Sequence, residues 1–265
     1  MSRTSVFPLV AVDVGNSRMK LGVFESAPVQ SFPETAQDLA VPLDATAEAM
    51  LDWLPRPAID YHWAISSVNR PPTAQLIEAL ASRGVHTARV LAHEDLPLAI
   101  ELPQPERVGM DRLCNALAAR ELRGTNGPAI VINVGSAITV DLVTSSGSFA
   151  GGAILPSLEM SARALHEFTD LLPHVTLSKP PSPSGRSTIE AIQFGLYWGA
   201  IGAIGELAKR LDPAGVAEVF ITGGGAQVLV PNLRIGAGQP PRLIPHLTLA
   251  GIALAMQESV TSRLS

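Results

Sequence analysis

The chain is poor in cysteine, in aromatic residues and in charge. Its single cysteine, Cys114, excludes an internal disulfide framework and any multi-cysteine zinc site. Charged residues are only 16% of the 265, yet no stretch reaches the ~18 uncharged apolar residues that a membrane helix requires. The apolar start SVFPLVAV runs straight into Asp13, without the charged lead or small-residue cleavage pattern of a signal peptide. A cationic excess is missing as well. Nineteen basic against 24 acidic side chains leave −5, no electrostatic ground for non-specific contact with nucleic acid or anionic membrane. These absences predict a protein of a reducing compartment, cytoplasmic, with neither nucleic acid nor membrane as partner.

Several chemical signatures are absent too. No G-x-x-x-x-G-K-[ST] string occurs, so a P-loop is excluded, and none of the glycine turns fits the dinucleotide fingerprint. No G-x-S-x-G elbow appears. His62, His86, His93, His166, His174 and His246 are scattered without metal-ligand spacing. Cys114 reads as a buried small residue rather than a nucleophile.

What the chain does have is apolar residues, 46%, enough for a sizeable core and against intrinsic disorder. Its length suits one large domain or two ordinary ones. Residues 7–24 read as two strands around the turn Gly15-Asn16-Ser17, with Val10, Val12 and Val14 alternating in the first. A helix follows around Asp44–Leu54, a strand over 62–68 and a break at Pro71-Pro72. A helix over Thr73–Arg83 is closed by Gly84. A short strand, VHTARVL, precedes a proline-broken loop over 96–105 and a helix over Gly109–Leu122. A second strand–turn–strand occupies 127–143, followed by the strand in GSFAGGAILP and a helix over Ser157–Leu172. SKPPSPSG, 178–185, is a low-structure loop suited to a lid or partner role. The helix over Thr188–Leu211 carries Gly195, Gly199, Gly202 and Gly205, spaced as a face that another element approaches closely. A strand ending in the turn TGGGA and a helix over Leu247–Ser259 complete the chain.

One feature orders these elements. VAVDVGNS and VINVGSA superimpose with Asp13 on Asn133, Gly15 on Gly135 and Asn16 on Ser136, 120 residues apart. A duplicated α/β domain with a cleft between the halves accounts for it. The expected division is 1–124 and 125–265, with the linker near Gly124–Gly127.

The chemistry-bearing residues gather at the turns. Asp13 ends a strand, Gly15 lets backbone approach a ligand, and Asn16, Ser17 and Lys20 offer donors and positive charge to phosphate. Asp13 suits a phosphate-bound Mg²⁺, directly or through water. The same string also describes an ordinary hairpin turn. Ser136 and Thr139 add hydroxyls in the second hairpin, and Gly223 and Gly224 lie in a turn suited to backbone contact with a nucleotide. In GMDR, 109–112, Arg112 suits a bidentate grip on a carboxylate and Asp111 suits taking a proton from a hydroxyl. A capping Asp beside a solvated Arg is the alternative.

Taken together, these strings resemble the type III pantothenate kinases of the actin-like ATPase and sugar-kinase superfamily. DVGNSRMK looks like the family's D-x-G-N-[ST]-x-x-K, and VGMDR is similar to its G-x-D-R. ISSV, GGAILP, the T-x-L-L-P at 169–173, GRST with Ala191, Ile192 and Gly195, and ITGGGA follow in family order. The resemblance implies two duplicated ribonuclease H-like domains and phosphorylation of pantothenate by ATP, the first step of coenzyme A biosynthesis. It implies ATP and Mg²⁺ at Asp13, Gly15, Asn16, Ser17 and Lys20, with Ser136, Gly223 and Gly224 also on ATP. It places pantothenate at Leu102, Gly109, Met110, Asp111, Arg112 and Thr188, with Asp111 as catalytic base. A homodimer and a monovalent cation, K⁺ or NH₄⁺, are implied as well. Two positions depart from the family pattern. Asn133 replaces the acid associated with that cation, and Leu102 stands where the family has a tyrosine. A weakly catalytic relative acting as a binding or regulatory protein, and a kinase for another small hydroxy acid, are the alternatives.

Overall fold

The computed structural model describes residues 6–27, 32–124, 127–182, 185–236 and 238–262, the side chains of the last five excepted. The chain forms two compact units, Met1–Leu122 with His246–Ser265, and Arg123–Pro245. This differs from the expected split at 124/125: the first unit also takes back the last twenty residues. Part of the expected linker, 125–126, and positions 183–184 of the 178–185 loop lie outside the described residues.

In the first unit, β1 (Leu9–Val14) pairs antiparallel with β2 (Arg18–Phe24), which pairs with β3 (Gln37–Pro42). On its other side β1 runs parallel to β4 (His62–Ser67), and β4 to the two-residue β5 (Arg89–Val90), giving the order β3-β2-β1-β4-β5. All six residues of β1 are buried, as expected of a strand covered on both faces. Alternation then sorts them. Val10, Val12 and Val14 enter a core with Leu21, Val23, Trp63, Ile65, Leu76 and Leu80. Leu9, Ala11 and Asp13 point to the opposite face.

Helix α1 (Ala47–Asp52) is shorter than expected and starts at Thr46, whose hydroxyl accepts from the Ala49 N–H. Helix α2 (Arg70–Ser82) takes in Pro71 and Pro72, which the sequence suggested as a break. In a first turn the missing proline N–H has no intrahelical partner to lose. Gly84, at φ +82°, closes that helix as expected.

The second face of the sheet is covered by α3 (Met110–Leu122) and α7 (Leu247–Ser262), the α3–α7 pair being the main helix–helix packing of this unit. That packing draws the end of the chain into the first unit. Gly251 is the reason the two helices approach so closely. A Cβ there would lie 2.0 Å from the Cys114 carbonyl oxygen. Nearby, the Thr248 hydroxyl donates to Asn115 Oδ1 at 2.9 Å, both side chains buried.

The second unit repeats the scheme. Strand β6 (Ala129–Val134) lies between antiparallel β7 (Ala137–Val143) and parallel β9 (Glu218–Thr222), with β8 (Phe149–Pro156) and β10 (Arg242–Leu243) at the edges. Its order, β10-β9-β6-β7-β8, is that of the first sheet written backwards. Helix α4 (Leu158–Glu167) is capped by Ser157 and ends five residues earlier than expected. Helix α5 spans Thr188–Leu211, and a one-turn α6 (Ala226–Leu229) follows β9. Gly195, Gly199, Gly202 and Gly205 on α5 do not mark close packing: among the described residues, added Cβ atoms there would meet nothing within 4 Å. No helix among the described residues is long and apolar enough to cross a membrane.

Replacing Gly251 with Ala forces α7 off the α3 backbone. The expected result is a melting temperature lower by about 2–10 °C, from an overpacking cost of roughly 1–3 kcal/mol. An unchanged melting curve would mean that α3 and α7 spread without cost.

Candidate active site

Asp13 owes its position to register. It sits one residue from the end of β1, opposite Lys20 on β2 and beside Ser66 on β4. Partners in a ladder share a face, so the three side chains project together toward α3. The turn between β1 and β2 is closed by the Gly15 N–H donating to the Arg18 carbonyl at 3.0 Å. This leaves Asn16 and Ser17 exposed at its tip and Lys20 half-buried.

Asp13 is buried, and its Oδ1 has no hydrogen-bond partner. Burial pushes the carboxyl up to about 6, against the attraction of Lys20 and with a smaller push from the neighbouring charge of Asp111. Asp111 lies in the first turn of α3 and is half-buried. Gly109 makes room for it, since a Cβ at 109 would stand 2.6 Å from Asp111 Oδ1. The charges of Asp13 and Asp111 are both felt at Cys114, one turn further along α3, whose thiol is held protonated chiefly by burial. Cys114 is therefore the inert buried residue expected.

Arg112, next after Asp111 in α3, lines a hollow of about 300 Å³ together with Leu102, Pro103, Gln104, Arg107 and Val108. Leu102 and Arg112 were read from the sequence as substrate residues. Arg107 was not: it falls between the proline-broken loop over 96–105 and the helix from Gly109, in the turn Pro105–Arg107. Met110 is buried in the helix start. Two guanidinium groups around a small hollow suit an anionic ligand, and a carboxylate above all.

The second unit holds its own set. Asn133 occupies the place in β6 that Asp13 has in β1, with Thr139 on β7 and Thr222 on β9 as its ladder partners. Thr139 and Thr222 are buried, and Thr139 Oγ1 has no partner. The second hairpin is one residue tighter, the Gly135 N–H donating to the Ala137 carbonyl at 3.0 Å, so a threonine stands where the first copy has Lys20. Ser136 is exposed at its tip. Gly223 is a required glycine. Its φ is +96°, and a Cβ would lie 2.6 Å from Asn133 Oδ1 and 2.4 Å from the Val134 carbonyl oxygen. Gly224 beside it faces open space. Thr188 is exposed at the start of α5.

Against known proteins, the family model described as type III pantothenate kinase matches residues 9–210. The chain belongs to that family. A curated relative, the type III pantothenate kinase of Parafrankia sp., is 32% identical over 264 residues, covering 96% of this chain and 100% of that one. Among solved structures, a Campylobacter jejuni protein named as a Baf family transcriptional activator superimposes with a TM-score of 0.62 at 17% identity, covering 96% and 100% of the two chains. MreB 5 of Spiroplasma citri, solved with AMPPNP, gives 0.51 at 9% identity and 97% of both chains. The likenesses to the two solved structures show a shared α/β fold.

The raised Asp13 fixes a linkage with a definite sign. Below about pH 4 the carboxyl is protonated in folded and unfolded chains alike. Between about 4 and 6 only the folded chain keeps the proton, so stability falls as pH rises, and above 6 the full cost is in place. That cost is about 3 kcal/mol without metal or nucleotide. Asp13→Asn is expected to raise the melting temperature of the ligand-free protein at pH 7.5 and to leave it unchanged at pH 4. Equal melting temperatures at both values would show that Asp13 is not a stressed carboxylate.

Proposed function

We propose that this protein transfers the γ-phosphoryl group of ATP to the primary hydroxyl of pantothenate, giving 4′-phosphopantothenate for coenzyme A biosynthesis. The observation that carries the reading is the meeting, in one unit, of Asp13, Lys20 and Asp111, with the helix that bears Asp111 also lending Arg112 to a hollow shared with Arg107. Arg107 and Arg112 grip the substrate carboxylate. Asp111 takes the proton of the hydroxyl as its oxygen attacks phosphorus. The bond to the β–γ bridging oxygen breaks and ADP leaves. The Gly15–Ser17 turn and Lys20 hold the phosphates, and catalysis is mainly positioning and charge neutralisation. From the second unit Ser136, Gly223 and Gly224 are assigned to ATP and Thr188 to the substrate.

The residues fit a divalent cation. Among the described residues no group of three His, Cys, Asp or Glu assembles into a cage. Asp13 instead offers one buried carboxylate that Lys20 only partly compensates, a donor that would suit a Mg²⁺ completing its shell with phosphate oxygens and water. When bound, Mg²⁺ neutralises charge on the phosphates. A monovalent cation at Asn133 would meet only neutral oxygens, from the amide and from Thr139 and Thr222. K⁺ or NH₄⁺ dependence is accordingly weak in this reading.

The homodimer belongs to the same reading, as does a cytoplasmic location. Phe168 and Leu171 are 85% and 87% exposed after α4, with Met160 on α4, Ile154 on β8 and Ile189 and Trp198 on α5 exposed too. Helix α4 packs on both β8 and α5. This apolar surface, next to the open glycine face of α5, is assigned to a second copy of the chain. The name of the Campylobacter jejuni neighbour favours a regulatory protein as the second reading. The net charge of −5 speaks against direct DNA contact in that role.

The test is ATP-dependent phosphorylation of pantothenate by purified protein with Mg²⁺, with and without K⁺. Product in both salts is expected. Folded protein that makes no product in either would overturn the reading. Asp111→Ala is expected to lower kcat at least about 100-fold while sparing ATP binding, and a wild-type rate would remove Asp111 from its role. For the dimer, Phe168→Glu with Leu171→Glu is expected to convert dimer to monomer in sedimentation. Wild-type protein that sediments as a monomer would end that assignment.

A further inference from the structure

Ser66 is fully buried, yet its hydroxyl makes no hydrogen bond. An unpartnered hydroxyl in a sealed site is costly, and such groups persist where something uses them. Its neighbour in the parallel ladder is Asp13, on the same face, with strands about 4.8 Å apart. Asp13 Oδ1 is itself sealed from solvent and without a partner. A donor and an acceptor, both orphaned, thus stand side by side. The Cys114 sulfur lies near enough for the Ser66 hydroxyl to act on it as a weak donor, although no hydrogen bond of normal geometry joins the two. A thiol sulfur is only a weak acceptor, so an ionised carboxylate within reach takes the Ser66 hydrogen in preference.

The second unit supplies an independent parallel. There the position equivalent to Asp13 is Asn133, and its partner on the parallel neighbour strand is again a buried hydroxyl residue, Thr222. The duplicated module keeps a hydroxyl at this place even though the residue it faces has changed from acid to amide.

We propose that Ser66 is a positioning residue for Asp13. Its hydroxyl donates to Oδ1 of the ionised carboxylate and so turns the other oxygen toward the metal and phosphates. The inference rests on the assignment of Asp13 to the Mg²⁺–ATP end of the site. Ser66 touches neither substrate nor metal, and it acts through the orientation of one carboxylate.

The two roles of Ser66, orphan or support, give opposite results on removal. Ser66→Ala deletes an unsatisfied buried atom, so a merely structural serine would leave MgATP binding unchanged and the ligand-free protein equally or more stable. A supporting serine would weaken MgATP binding, measured by calorimetry, by about ten- to a hundredfold, the usual range for a lost hydrogen bond to a charged group. KM for ATP rises with it, KM for pantothenate does not, and the melting temperature does not fall. Ser66→Thr, which keeps the hydroxyl and copies the second unit, is expected to bind MgATP more tightly than Ser66→Ala. Wild-type affinity in Ser66→Ala would overturn the proposal, as would equal losses in the Ala and Thr variants. Wild-type protein that binds no MgATP would instead overturn the assignment of Asp13.

Discussion

The site depends on one act of burial. A carboxylate at the end of a central strand is placed under a helix, where water cannot reach one of its oxygens, and a lysine on the neighbouring strand only partly offsets the lost solvation. The ladder register puts Lys20 and Ser66 on either side of Asp13, and α3 carries Asp111 and Cys114 over the same face. The close approach of α3 and α7 at Gly251 fixes how far that face is covered. On the proposed assignment of Asp13 to Mg²⁺ and ATP, the site would hold its own acid in a state that a divalent cation relieves.

The second unit uses the same frame without the stress. An amide replaces the acid and a threonine replaces the lysine, so both charges have gone together. The pairing is physically coherent, because a lysine left opposite a neutral amide would itself be buried without compensation. Duplication kept the strand order and the tight glycine turns, while the electrostatics of the two copies separated.

Much of this was legible in the sequence, and what was not has identifiable causes. Asp13, Lys20 and the hairpin were visible because strand alternation and turn residues are local. The helix Thr188–Leu211 was read to the residue, its start marked by the Ser187 cap. Ser66 was invisible as a partner of Asp13, since 53 residues and a parallel crossover separate them and only register joins them. Strand β3 was missed because QDLAVP is an edge strand with four of its six residues exposed and a proline at its end. Arg107 was overlooked because a loop cavity has no periodicity to read. The glycines of α5 misled: small residues at helical spacing mark a surface that permits close approach, and among the described residues nothing approaches it.

The return of α7 to the first unit has a consequence for how the protein is made. The 123–245 unit is continuous in sequence, so its folding needs no residue translated after Pro245. The first unit, although its strands emerge earliest, stays open over Cys114 and Asn115 until the final helix is translated. During synthesis the face that carries Asp13 is therefore the last to be sealed, and a ribosome that stalls before residue 247 leaves it uncovered.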